Sequence, residues 1–139
     1  MSGKIASLLF FFAVQFFSSF SQISFEKFYP GATAAEAVQT SDGGYVVAGR
    51  IVLGASNHDI TLLKTDSLGN LEWQKNHGHP QFYDQANDLL QTADGGFLIL
   101  GSSLPGDSVT IFLVKTDQNG DTLWTRHYSC LLYTSDAAD

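Results

Sequence analysis

Residues 39–45 read QTSDGGY and residues 91–97 read QTADGGF, so one stretch occurs twice at an offset of 52 residues (91 − 39). The agreement continues along the chain, because KTD at 64–66 returns at 115–117. A sustained period of this size is typical of solenoids, propellers and arrays, in which one supersecondary unit is stacked on its copies. The recurring positions are Asp42, Gly43, Gly44, Gly49, Lys64, Asp66, Gly69 and Trp73 in the first copy and Asp94, Gly95, Gly96, Gly101, Lys115, Asp117, Gly120 and Trp124 in the second.

Turn signals divide each copy into four strands. Glycine supplies the positive φ that tight hairpins require, and Asp before Gly is a favoured partner in such turns. The five-residue stretches at 66–70 and 117–121 predict a second kind of turn, type I with glycine at the left-handed bulge position. We predict strands near 36–39 and at 45–51, 59–65 and 71–76 in the first copy, and at 86–91, 97–102, 110–116 and 122–127 in the second.

The pattern predicts an all-β fold. No helical period is sustained after residue 21, and the segments 45–48 and 97–100 are apolar at every position, which predicts sheets stacked face to face. Four strands in about 50 residues is the size of a propeller blade. We therefore predict antiparallel four-stranded blades of a truncated β-propeller, with blade 1 at 34–77 and blade 2 at 86–128.

Residues 23–29 resemble the last strand of a preceding copy, since Phe25 falls 48 residues before Trp73 (73 − 25). We predict a lone strand there, which would act as a clasp by completing the blade formed by the other end of a closed propeller. Closure needs about 4–8 blades, so two blades predict a parent protein several times longer.

Both ends of the chain differ from the repeats. Lys4 precedes an apolar run at 5–20, followed by the small residues of a cleavage site, which predicts a secretory signal peptide at 1–21. The alternative is an uncleaved anchor, but the run is shorter than the ~20 apolar residues of a spanning helix, and no other segment could cross a bilayer. The last ten residues, 130–139, break the repeat, contain the sole cysteine, Cys130, and resemble a translated sequencing-library adapter. We interpret 22–129 as the repeat region and 130–139 as a non-native tail.

Composition excludes one class of partner. The chain has 7 Lys and Arg against 14 Asp and Glu, a net charge of −7, and only 15% of its residues are charged. Nucleic-acid-binding proteins carry basic patches or stripes that neutralise phosphates. We therefore expect no nucleic acid partner.

The consensus QTxDGG-aromatic, then Gly, then KTDxxG, then Trp resembles bacterial secreted propeller repeats, over residues 25–129. Such repeats occur in large exported and cell-surface proteins that end in a sorting domain for type IX secretion. The resemblance implies a secreted or cell-surface propeller protein exported by that route. It implies little about activity, because one propeller architecture hosts many unrelated functions.

Two acidic turns and two histidine pairs are the candidate chemistry. Asp66, with Asp117, Asn119 and Asp121 in the second copy, would suit a calcium loop, but their spacing differs from the EF-hand pattern, and a hairpin turn is the alternative we favour. The sequence His77-Gly78-His79, with Asp84, would offer imidazoles to a metal, and His58-Asp59 would form an oriented base. Neither recurs, and a structural role is the alternative.

The recurring Trp73 and Trp124 suggest either a sugar-stacking platform or packing between blades, and we favour packing. Lys64 and Lys115 are expected to be snorkelling or ion-paired edge residues.

No catalytic, cofactor-binding or metal-binding residue is predicted. The expected function is a secreted binding or scaffolding module for an extracellular protein or glycan. The rival hypotheses are the propeller of a secreted hydrolase or lyase, and a structural adhesin array.

Overall fold

The structure is a computed structural model that describes residues 26–55 and 57–129. The predicted signal peptide at 1–21, the first part of the predicted lone strand at 23–25 and the tail at 130–139 lie outside these ranges. Throughout both described ranges, no helix has the length and apolarity that a membrane crossing demands.

Eight strands and no helix make up the described part of the chain, so the prediction of an all-β fold is confirmed. Each of the eight strands predicted in the two copies is present, and several are one or more residues longer than predicted. The strands are β1 (Ala32–Gln39), β2 (Tyr45–Val52), β3 (His58–Thr65), β4 (Leu71–His77), β5 (Tyr83–Gln91), β6 (Phe97–Leu104), β7 (Thr110–Thr116) and β8 (Thr122–Ser129).

The strands form two antiparallel meanders, β1–β4 and β5–β8, in which each strand pairs with the next. The register shifts at matching places in the two meanders. In the first pair of strands the shift falls between Ala34 and Glu36, and in the second meander it falls between Ala86 and Asp88. A β-bulge of this kind bends a strand and increases its twist. The two meanders therefore share their local distortions as well as their strand order.

The two meanders meet through one parallel bridge, His58 to Tyr83, which makes them a single open, mixed sheet. Along this sheet the order is β1-β2-β3-β5-β6-β7-β8, with β4 beside β3. The apolar core lies between the meanders. It contains Val46, Ala48, Ile60 and Leu62 from the first and Ala86, Leu89, Phe97, Ile99, Phe112 and Val114 from the second.

Burial is one-sided in the segments 45–48 and 97–100, contrary to the prediction, whereas β3 is buried on both faces from Ile60 to Thr65. In β2, Val46 and Ala48 are fully buried while Tyr45 and Val47 are only half-buried, and in β6 Leu100 is exposed. The physical reason is that the core between the meanders covers one face of each meander, while the outer faces are covered only in part. Apolar residues such as Leu100 on the outer face of the second meander remain accessible to water.

Residues 26–29 are not in a strand, which corrects the described part of the predicted lone strand at 23–29. The segment still contacts the first meander. The hydroxyl of Tyr29 donates to the carbonyl oxygen of Gly69, and the ammonium of Lys27 donates to Asn70 Oδ1 at 3.4 Å. Phe28 is 84% exposed. The segment thus lies against the outer face of β1–β4 through side chains, without a backbone ladder.

Candidate functional site

The Asp-Gly-Gly turns join β1 to β2 and β5 to β6. In the first, the amide of Gly43 donates to the carbonyl of Thr40 at 2.9 Å, and Gly43 has a φ of 84°. The Asp42 carboxylate accepts hydrogen bonds from the Thr40 hydroxyl and from the amide of Gly44, at 3.0 Å for the latter. An aspartate that binds its own turn in this way holds the hairpin closed. These bonds explain the Thr-x-Asp-Gly-Gly pattern.

Lys64 connects that turn to β3 and β4. Only 6% of its surface is exposed, and its ammonium lies 3.0 Å from both Asp42 Oδ2 and Glu72 Oε2 while donating to the carbonyl of Thr65 at 2.9 Å. Burial disfavours the charged ammonium, but the hydrogen bonds that it donates to Asp42 and Glu72 outweigh this and raise the pKa of Lys64. In turn, the Thr40 hydroxyl, the Gly44 amide and Lys64 lower the pKa of Asp42. We call this arrangement the lysine latch.

The second meander repeats the aspartate–lysine part of the latch, with Leu123 at the position of Glu72. Lys115 lies 3.0 Å from Asp94 Oδ2 and donates to the carbonyl of Thr116 at 2.8 Å. The Thr92 hydroxyl, Lys115 and the Gly96 amide lower the pKa of Asp94 to about 2. A side-chain carbon at Gly96 would lie 2.8 Å from the Lys115 ammonium and still closer to the Thr116 carbonyl. The second glycine of the motif is therefore required by the latch, while the first is required by its positive φ.

Asp66 and Asp117 close the turns between β3 and β4 and between β7 and β8. Asp66 Oδ1 accepts from the amides of Leu68 and Asn70, each at 2.8 Å, and Gly69 has a φ of 75°. Hydrogen bonding to the Asn70 side chain and amide lowers the pKa of Asp66. Asp117 binds its own turn in the same way. These carboxylates hold hairpin turns of the predicted kind, with glycine at the left-handed position.

The two recurring tryptophans have different surroundings. Trp73 packs against the core with its ring edge-on to Phe97, at 6.3 Å between centroids, and it lies over Gly120 of the second meander. Trp124, at the matching position, is 39% exposed and has the guanidinium of Arg126 at 5.6 Å. Trp73 thus contacts a following unit, and Trp124 lacks a corresponding unit among the described residues.

The histidine pairs do not form the arrangements that were considered from sequence. His77 is buried, its Nδ1 lies 2.9 Å from Thr122 Oγ1, and burial lowers its pKa. The ring of His79 stacks on Phe82, and the ring of His58 lies 4.3 Å from that of Tyr83. Within 26–55 and 57–129, no group of three or more His, Cys, Asp and Glu side chains is arranged to hold a metal ion.

The sequence analysis considered Asp59 and Asp84 only as partners of histidines, and it did not foresee that they lie beside each other. Several buried polar atoms lack a hydrogen-bond partner within the described residues, and most belong to residues close to the His58–Tyr83 bridge. Asp59 and Asp84 are the acidic members. A signal was present in the sequence, since Asp59 occupies the place of Thr110 in the other copy, a departure from the repeat at a strand end.

No protein-family model matches the chain, and no curated protein matches it at a significant level. The function must therefore be inferred from the geometry of the two meanders.

Proposed function

We propose that this chain is part of a secreted β-propeller repeat protein that serves as a binding or scaffolding module. Propeller blades are four-stranded antiparallel meanders packed face to face around an axis. The observed meanders have the strand count, the antiparallel order and the face-to-face core that this architecture uses.

The difference in burial between matching residues carries the proposal. Ala48 and Ile60 of the first meander are 0% exposed because the second meander covers them. Their counterparts by register are Leu100 and Ile111 of the second meander, which are 40% and 41% exposed. In a stack of equivalent units, matching apolar residues are buried by the next unit. The exposed outer face of β6–β8 therefore fits a further copy of the unit.

The opposite side of the first meander supports the same stacking rule. Lys75 of β4 binds Asp121 of the second meander at 2.7 Å. Lys27, 48 residues earlier (75 − 27), binds Asn70, the residue that matches Asp121. The segment 26–29 therefore makes a β4-like contact with the first meander, which is the contact that a clasp from a preceding copy would make.

The role of the recurring residues favours a scaffold over an enzyme in this part of the protein. The recurring Asp and Lys residues are engaged in turns and lysine latches, and Trp73 packs between the meanders. Such residues maintain a frame on which loops can vary to bind different partners. The partner we propose is an extracellular protein or glycan, reached by export through the predicted signal peptide and a type IX route.

Two measurements test the proposal. Long-read sequencing of the locus beyond the codon for Ser129 is expected to show further in-frame copies; a stop directly after Asp139 contradicts the propeller. Glycan-array and surface-binding assays with the secreted protein are expected to show saturable binding without product release. Release of new reducing ends or unsaturated sugars would instead favour the hydrolase or lyase.

Two variants test the stacking face itself. Leu100→Lys is expected to reduce binding of a hydrophobic dye while the unfolding midpoint changes little, because that side chain is accessible to water. Ile60→Lys places a charge in the core and is expected to unfold the chain. If Leu100→Lys unfolds the chain as well, the face is already covered and the argument fails.

A further inference from the structure

Two carboxylates converge where the meanders meet. Asp59 lies near the start of β3, Asp84 lies near the start of β5, and Gly78 follows β4 between them. A side-chain carbon at Gly78 would lie 2.6 Å from Asp59 Oδ1 and 2.8 Å from Asp84 Oδ2. The two acidic groups therefore approach one point, and only a glycine leaves room for both.

These carboxylates are desolvated without a compensating cation among the described residues. Asp84 is 0% exposed; its Oδ2 accepts the amide of His79 at 2.8 Å, but its Oδ1 has no partner. Asp59 Oδ1 is also buried without a partner. Burial, and then the charge of Asp84, raise the pKa of Asp59. Buried charges are costly unless they are paired or coordinate a metal.

A third oxygen is available beside them. Ser103 is the register partner of Asp84 in the antiparallel β5–β6 pair, so the two side chains lie next to each other on one face. Ser103 is 0% exposed, and its hydroxyl oxygen has no hydrogen-bond partner within the described chain. A fully buried hydroxyl normally finds a partner. Ser103 therefore places an unused oxygen on the same face as Asp84.

Three basic side chains border the two carboxylates, and each has a buried nitrogen without a hydrogen-bond partner among the described residues: Arg50 Nε, His58 Nδ1 and His77 Nε2. The guanidinium of Arg50 lies 5.1 Å from the ring centroid of Tyr83, and the ring of His58 lies 4.3 Å from the same tyrosine ring, tilted by 30°. The imidazole of His77 faces Thr122. In the described ranges, none of these side chains forms an ion pair with Asp59 or Asp84.

We propose that Asp59, Asp84 and Ser103 bind a calcium ion that joins β3 of the first meander to β5 and β6 of the second. Carboxylate and hydroxyl oxygens are hard donors, and a flexible set of oxygens suits Ca²⁺ better than the strict octahedron of Mg²⁺. The ion would relieve the repulsion between the carboxylates and strengthen a seam that has a single bridge pair. This inference is independent of the proposed binding function.

The test is calcium titration of the 139-residue chain, followed by calorimetry and by thermal unfolding in EDTA or in CaCl₂. We expect binding with a dissociation constant of about 10⁻⁴–10⁻³ M, the range of extracellular calcium modules. We also expect a rise of several degrees in the unfolding midpoint at about 10 mM Ca²⁺, because a ligand that binds only the folded state stabilises it. Asp84→Asn should weaken binding by at least about tenfold, because ligand charge sets calcium affinity. In EDTA the same variant should be no less stable than the parent.

Asp107→Asn is the matched control, because Asp107 is an exposed acidic residue in the loop between β6 and β7. It should keep the full calcium response. Ser103→Ala is the second variant in case Asp84→Asn does not fold; it should keep its stability in EDTA and lose most of the calcium-dependent rise. The proposal is overturned if calcium produces neither heat nor a shift of the unfolding midpoint. It is also overturned if the calcium response survives in both Ser103→Ala and Asp84→Asn, or if the midpoint changes with pH but not with calcium.

Discussion

Replacing Trp73 with alanine tests how the two meanders pack. The indole is partly buried, contacts the ring of Phe97 edge-on and covers Gly120, where a side-chain carbon would lie 2.7 Å from the indole. Truncating a fully buried Trp to Ala lowers the free energy of unfolding by about 3–5 kcal/mol. Loss of an edge-on aromatic pair accounts for about 1 kcal/mol. Because Trp73 is only partly buried, we expect a loss of about 3 kcal/mol in the free energy of unfolding.

Trp124→Ala is the matched control at the same position of the repeat. Trp124 is 39% exposed, and its described contact is with the guanidinium of Arg126 at 5.6 Å. An exposed cation–π contact is worth about 0.5–1 kcal/mol, so the loss should stay below about 1 kcal/mol. Urea unfolding followed by far-ultraviolet circular dichroism measures both variants, since each substitution removes one of the two tryptophans and so changes the fluorescence signal.

In thermal unfolding, the Trp73 variant should melt lower by about 12–24 °C, from the relation of about 4–8 °C per kcal/mol for a domain of this size. Trp73→Phe keeps an aromatic ring and should lose less, which keeps the comparison possible if the alanine variant does not fold. Equal losses at Trp73 and Trp124 would refute the reasoning, because they would mean that both indoles are equally covered.

Three further outcomes follow from the turns and the buried histidine. Gly96→Ala should destabilise the chain by about 2 kcal/mol, the usual cost of overpacking, because the new side-chain carbon would meet Lys115 and Thr116. Gly54→Ala has open space around it, so its stability in the same thermal melts should stay within about 0.5 kcal/mol of the parent. The folded state lowers the pKa of Asp94 to about 2 from an unfolded value of about 3.9, so its stabilising contribution is present above about pH 4 and lost as the pH falls towards 2. Asp94→Asn should therefore make the urea unfolding midpoint depend less steeply on pH in acid. A pH dependence as steep as that of the Asp107→Asn control would contradict this. Burial lowers the pKa of His77, so the unfolded chain takes up the proton first and stability should fall below about pH 6.5. His77→Gln should reduce the fall in stability between pH 7 and 5, whereas the exposed control His127→Gln should leave that fall unchanged. An unfolding midpoint of the parent chain that does not change over this pH range would show that His77 is not buried.

The strands and turns could be predicted from sequence because their causes are local. Glycine at positive φ and an aspartate that binds its own turn act within five residues, and Gly69 and Gly120 occupy the predicted left-handed positions. Strand ends were less accurate: β1 begins at Ala32 because the bulge after Ala34 lets pairing with β2 continue. The lone strand predicted at 23–29 is absent over 26–29. A strand needs a hydrogen-bonded partner strand, and these residues contact the meander only through side chains.

The lysine latch was only partly foreseen. Lys64 was expected at an edge in an ion pair, and it is paired, but it is buried between a turn and two strands. Its burial depends on β3 lying beside both β2 and β4, which is a long-range fact. The meeting of Asp59 with Asp84 is of the same kind, since 25 residues (84 − 59) and the whole of β4 separate them.

The sequence by itself determined the all-β class, the two four-stranded copies and the turns, because the signals for each are carried by short recurring stretches. Only the tertiary structure decided which face of each meander is buried, which tryptophan is covered and which carboxylates converge. The physical reason is that identical local stretches become unequal through their neighbours: Ile60 is covered by the second meander, whereas its counterpart Ile111 faces water.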